Sequence, residues 1–354
     1  MENAMDYIRW RGDLSFDSAP FNDVDCFICS QLSTPDYSGI ADRESVTLAE
    51  AAERYFLHHT EDKSNLGVLQ SVHVLPMLRS LSESPRYRDI VLEGYENKIN
   101  EESREQFCAV TVRLPDGTMV ISYRGTDDTI VGWNEDFNIA INEPVPAQSD
   151  AVDYLVRHGS GFCGDIVLTG HSKGGNLAVY AAVNAPISLR GKIRSAVSFD
   201  GPGFRREFLE SDAYRAAEPI LRTILPQHSL VGVILGGAGQ RVIVSSTVSG
   251  PMSHDGFNWQ VTRDGFVSEP TLAATSEAYS QALNQLIDGM EQEEMQAFIN
   301  ELFTVLNSTE ADTLTELRSL KPAALLELVN RLLRGKHINS FTTGFLEKFI
   351  KAML

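Results

Sequence analysis

Apolar positions along the chain change period twice. Up to about residue 100 they recur at helical spacing or without pattern. TLAEAAERYFLHH, from Thr47 to His59, predicts a helix capped by Thr47, and VLQSVHVLPMLRSLSES predicts a second, kinked or interrupted by Pro76. The pattern then becomes β-like. FCAVTVRLPDGTMVISYRGT holds two β-rich runs joined by Pro115-Asp116-Gly117, a strong hairpin signal. Strand-like and helix-like runs alternate after that: AQSDAVDYLVRHG as a helix ended by Gly159, IVLTG as a strand, a helix from Gly174 onward, then strands in SAVSFD, LRTIL and RVIVSST. From about residue 270 the helical period returns. Met295, Phe298, Ile299, Leu302, Phe303 and Leu306 line one face; Pro322 opens a further helix ended by Gly335; FTTGFLEKFIKAML carries a third apolar stripe. These stripes read as core-facing, because none has the dense Lys/Arg face of a membrane-surface helix.

Strands alternating with helices at this spacing predict an α/β fold, a mainly parallel sheet with helices on both faces, plus helical N-terminal and C-terminal extensions. The expected division is an N-terminal helical segment packed on the core (1–104), an α/β core (105–269) and a C-terminal helical extension (270–354). Ligands of such sheets bind beyond the carboxyl ends of the strands.

Composition narrows the partners. The 354 residues carry a net charge of −18, which argues against nucleic acid and anionic membrane surfaces as partners, since both require basic surface. The opening MENAMDYIRWRGDLSF has no apolar run of a secretory signal, and no stretch reaches the about 18 apolar residues of a spanning helix. A cytoplasmic protein without stable membrane insertion is the expectation. Cys26 and Cys29 form a CFIC pair in an apolar context, with no second pair or close histidines to complete a zinc site, so buried free thiols are expected. His58, His59 and His73 are expected as solvated or packed helix positions.

The chemical lead is DIVLTGHSKGGNLAVYAA, with Ser172 between Gly170 and Gly174. G-x-S-x-G alone arises by chance in roughly one chain of this length in ten. Here a short apolar strand precedes it and a helix follows, the context of a nucleophile elbow that exposes a serine hydroxyl above a sheet. Such a serine needs a base, an acid to orient it, and an oxyanion site. Of the histidines after Ser172, His254 in SHDGFNW follows a strand and is preferred as base, with His228 its rival and His337 assigned to packing. His171 alternates away from the reactive face. Asp200 ends SAVSFD and is the candidate acid; a turn-capping role is the bland alternative, and Asp212 and Asp255 are fallbacks. The oxyanion donors expected are the backbone N–H of Lys173, whose side chain is expected in solvent, and Thr126, which follows a strand end at Gly125.

SYRGT, WNED (Trp133 to Asp136) and TGHSKGGNLAVYAA resemble the class 3, fungal-type lipases. The wider set QFCAVTV, YRGTDDTIVGWNEDF, GHSKGGNLA, SFDGPGF, SLVG and SHDGFNW resembles the bacterial Mbeg-like family of α/β-hydrolases related to those lipases. The resemblance implies an α/β-hydrolase fold with Ser172 as nucleophile and Thr126 at the oxyanion. It also exposes a departure: Ser229 stands where those lipases place their catalytic aspartate, so either Asp200 supplies the acid or the triad is incomplete. The expected function is a serine hydrolase acting on carboxylic esters, acyl lipids included, through Ser172, His254 and Asp200. It needs no cofactor or metal, its partner is a small-molecule or lipid ester, and its oligomeric state is left open. Two alternatives stand: a catalytically inactive hydrolase fold serving as a binding or scaffold module, and an enzyme that transfers acyl groups to an acceptor other than water.

Overall fold

A computed structural model describes residues 2–59, 70–100, 105–126, 138–139, 144–289 and 292–306. The WNED stretch and the helices expected beyond residue 306 lie outside the described residues, as does His337.

The expected hairpin forms from β3 (Glu105–Arg113) and β4 (Met119–Tyr123), antiparallel, with Val112 opposite Val120. Its turn works because Gly117 takes φ +84°, a conformation only glycine adopts freely, while Asp116 Oδ1 accepts from the Thr118 N–H at 2.8 Å. After β4 come α5 (Pro146–Gly159), β5 (Ile166–His171), α6 (Lys173–Val183), β6 (Ile193–Phe199), α7 (Asp212–Ala217), β7 (Leu221–Pro226) and β8 (Gln240–Val244). Strands β4 to β8 run parallel. At the outer edges lie β1 (Val46–Thr47) and β2 (Val91–Asn100) on one side and β9 (Ser268–Glu269) on the other. Strand order among the described residues is β1 through β9 in sequence.

That serial order has a geometric consequence. Right-handed crossovers between parallel strands that always step in the same direction place every crossover helix on one face of the sheet. Accordingly α5, α6 and α7 pack together against Phe107, Ala109, Ile121, Tyr123, Ile166, Leu168 and Ala196. The alternate residues, Val110, Val112, Val120, Val167, Val197 and Ile224, face the other way and need a separate cover. It comes from upstream: α1 (Ala4–Arg11), α2 (Asp23–Gln31), α3 (Leu48–His58) and α4 (Val74–Glu83) join those residues in a single apolar cluster. Helices do cover both faces, and the N-terminal helices cover the second one.

This cover is fastened at two points. In α2, Asp25 is buried and accepts from Arg86 Nη2 at 2.6 Å and Nε at 2.9 Å, and from the Tyr87 hydroxyl at 2.5 Å. Asp23 pairs bidentately with Arg222 on β7, at 2.6 and 2.8 Å. Cys26 and Cys29 are buried free thiols as expected; Cys26 donates weakly to Thr169 Oγ1 at 3.4 Å, and burial raises its pKa to about 12.

Local expectations fared unevenly. Thr47 caps α3 through a capping box with Glu50. Pro76 does not kink its helix: α4 begins at Val74, so the proline sits in the first turn, where its missing N–H has no intrahelical acceptor to lose. The ten-residue strand β2 carries charged residues throughout and a register shift between Glu93 and Glu96, which hides its alternation. The chain continues with α8 (Ala274–Gly289) and α9 (Gln292–Leu306), whose Ile299 and Phe303 are buried. No described helix is long and apolar enough to cross a membrane.

Candidate active site

Ser172 lies between the last residue of β5 and the first of α6, with φ +57° and ψ −131°. This is a strained conformation for a residue with a β-carbon. Two glycines make it sterically feasible. A Cβ on Gly170 would fall 2.2 Å from the Gly174 carbonyl carbon, and one on Gly174 would fall 2.1 Å from the Tyr123 oxygen. The turn is held by the Ser172 N–H donating to Phe199 O and the Gly175 N–H donating to Ser172 O, each at 2.9 Å. The N-terminus of α6, with its partial positive charge, therefore begins at the residue after the serine.

Asp200 follows β6, next to Phe199, also at positive φ (+49°) and fully buried. Its two oxygens have separate duties. Oδ2 lies 2.7 Å from His254 Nδ1. Oδ1 accepts from Ser229 Oγ at 2.5 Å and from the Gly232 N–H at 3.0 Å. A carboxylate only accepts, so His254 carries its proton on Nδ1, and Nε2 is left as the basic nitrogen. His254 is about one-quarter exposed, 26% by side chain, while Asp200 is sealed.

His254 sits at the end of a short 3-10 turn, Gly250–His254. His171, one residue before Ser172, reaches across to it: Nε2 lies 2.8 Å from the His254 carbonyl oxygen and the ring centroids are 4.6 Å apart. The carbonyl can only accept, which fixes His171 as the Nε2–H tautomer. Burial, reinforced by the neighbouring His254, lowers the His171 pKa to about 3, so the ring stays neutral. Sequence reasoning assigned His171 a structural role; the structure adds which role, a prop for the His254 turn.

The rival residues have other engagements. His228 pairs through Nε2 with Gln227 Nε2, and Asp200 is bonded to His254, not to it. Asp212 is exposed at the start of α7 and pairs with Arg215. Asp255 caps Phe257 and accepts from the Ser71 hydroxyl at 2.8 Å.

Thr126 is buried, and its loop lies against the elbow: a Cβ on Gly125 would be 2.8 Å from His171 O and 3.3 Å from Ser172 Cβ. Its carbonyl accepts from Gln70 Nε2 at 2.8 Å. Residues 70 and 71 thus strap the Thr126 loop to the His254–Asp255 turn, a contact between remote segments that no local motif announces. Lys173 corrects an expectation. Its side chain is 1% exposed rather than solvated, and Nζ donates to Gln106 O at 2.7 Å and Gln106 Oε1 at 2.6 Å. The helix start that points its N–H toward the elbow turns its side chain back onto β3, where a glutamine supplies two acceptors.

The profile of the Mbeg1-like family matches residues 81–304, more than half of the chain, and the chain belongs to that family. No curated protein matches it. Among solved structures, one titled as the crystal structure of M37 lipase is similar at 15% identity and a TM-score of 0.35, covering 61% of this chain and 74% of that one. A likeness that low carries no functional argument; the geometry above must do so.

Proposed function

We propose that the chain is a serine hydrolase of carboxylic esters, acyl lipids included, with Ser172 as nucleophile, His254 as base and Asp200 as the orienting acid. The observation that carries this reading is the Asp200–His254 bond of 2.7 Å beside a serine held at φ +57° on a strand-to-helix turn. In this mechanism the Ser172 hydroxyl attacks the ester carbonyl while His254 Nε2 takes its proton. Asp200 Oδ2 stabilises the resulting imidazolium, and the proton is then given to the departing alkoxide. Water, deprotonated by the same nitrogen, cleaves the acyl-serine. The backbone N–H groups of Lys173, at the positive end of α6, and of Thr126 supply the oxyanion site. The 105–269 segment bears these groups in our reading, with α1 to α4 and the edge strands β1 and β2 before it and α8 and α9 after it.

The Ser229 departure supports this assignment of the acid. Where related lipases hold their aspartate, this chain has a hydroxyl that donates to Asp200 from the next strand's loop. The test is labelling of the purified protein with a fluorophosphonate probe, beside Ser172→Ala. Labelling that vanishes in the variant supports the reading. A folded parent that does not label, even with small probes, favours the inactive scaffold instead. Product formation that rises with added alcohols or thiols would shift the assignment to acyl transfer.

A further inference from the structure

The loop that grips Asp200 is itself gripped by the helix that follows the sheet. In α8, Ser276, Ser280 and Asn284 recur every fourth residue and so share one face. Ser276, almost fully buried, donates its hydroxyl to the Ser229 carbonyl. Ser280 Oγ donates to the Val233 carbonyl at 3.0 Å. Asn284 holds the loop from both sides: Oδ1 accepts from the Leu235 N–H at 2.8 Å, and Nδ2 donates to Val233 O at 3.4 Å. Just before the helix, the Ala273 N–H donates to Gln227 O at 2.8 Å. Leu235 sits at φ +62°, where a branched side chain is strained, so this loop shape persists only while something outside it holds it.

We propose that α8 is a positioning element for the Asp200–His254 pair, with Ser229, Ser276 and Asn284 as its positioning residues. The chain of contacts is short. Asn284 and Ser276 fix the backbone from Ser229 to Leu235. That backbone presents the Ser229 hydroxyl and the Gly232 N–H to Oδ1, and with Oδ1 occupied the carboxylate has one orientation in which Oδ2 meets His254 Nδ1. A helix serving only to cover the sheet would present aliphatic side chains to it. A stripe of three polar side chains, each spent on loop backbone, is suited to holding a loop still. The inference rests on the reading of Ser172, His254 and Asp200 above, and the region beyond the sheet becomes part of what makes that site competent.

The test uses the full chain with Ser229→Ala, Ser276→Ala and Asn284→Ala, plus Asn284→Asp, which keeps the acceptor for the Leu235 N–H. Two readouts are taken well below the melting transition: the fluorophosphonate labelling rate, and the downfield proton resonance of the His254 Nδ1–H, assigned by its loss in Asp200→Asn. Labelling is expected to slow by about tenfold to a hundredfold in the alanine variants, as for a reacting group displaced by a fraction of an ångström to an ångström. The resonance should move upfield in step, and Asn284→Asp should recover part of both. If Ser276→Ala fails to fold, the half-buried Asn284 pair of variants carries the test. Folded variants that label at the parent rate and keep the resonance overturn the inference. A folded parent that does not label, with a resonance that still moves in the variants, overturns the hydrolase reading and leaves the positioning of the pair intact.

Discussion

Asp200→Asn separates orientation from charge more sharply than any other change at this site. Asparagine has nearly the shape of aspartate but one acceptor oxygen and one donor amide. The amide's orientation is decided at the Oδ1 side, where the Gly232 backbone N–H at 3.0 Å can only donate. The asparagine oxygen must therefore face Gly232, and its NH2 faces His254 Nδ1, which now has to accept. His254 is driven into the Nε2–H tautomer, and the nitrogen that should take the Ser172 proton already holds one. Where this wrong-tautomer change leaves geometry intact in a serine protease triad, the rate falls by about 10⁴, equivalent to about 5.5 kcal/mol of barrier. The assay is the second-order rate of fluorophosphonate labelling, with hydrolysis of a p-nitrophenyl ester beside it and circular dichroism to establish folding. A folded Asp200→Asn protein that labels within about tenfold of the parent refutes the argument, because it would mean His254 does not depend on Asp200 for its tautomer.

Three further predictions draw on other parts of the molecule. Gln70→Ala, which removes the donor to Thr126 O, should slow labelling by about tenfold through a loosened oxyanion loop, with the thermal transition nearly unchanged; unaltered labelling would detach the strap from the site. Arg86→Leu leaves Asp25 as an uncompensated buried carboxylate and should cost about 3–5 kcal/mol in urea unfolding. His171, whose pKa is lowered to about 3 in the folded chain, takes up protons only in the unfolded one between pH 6.5 and 3. Its contribution is therefore full above pH 6.5 and is lost on acidification, by at most about 1.4 kcal/mol per pH unit, before allowance for its partial exposure. His171→Asn should flatten that part of the stability–pH curve between pH 6.5 and 5; an unchanged slope would assign it to other groups.

What was legible in the sequence follows the range of the interactions. The elbow was visible because its determinants are contiguous: an apolar strand, two glycines and a helix start within about ten residues. Asp200 and His254 stood out because each directly follows or closely trails a strand, and parallel strands deliver such positions to one edge. Lys173 was misread because its burial depends on Gln106, a residue 67 positions away whose acceptors no local pattern reveals. The strand β2 was missed because its bulge and its charges break the two-residue alternation on which strands are recognised. The role of α8 was hidden for a different reason. Ser276, Ser280 and Asn284 look like a solvent-facing stripe, and their partners are carbonyl and N–H groups, which every residue possesses.

The serial strand order also separates two boundaries that are often taken to coincide. The Mbeg1-like profile matches from residue 81, whereas α1, α2 and α3 and most of α4 precede it. A fragment cut where the resemblance starts would keep every crossover helix and lose the layer that shields Val110, Val112, Val120, Val167, Val197 and Ile224. Such a fragment would carry Ser172, Asp200 and His254 on a sheet with one bare apolar side, prone to self-association before any chemistry could be measured. The layer that covers this face thus lies ahead of the matched segment, and a fragment meant to stay monomeric has to begin upstream of it.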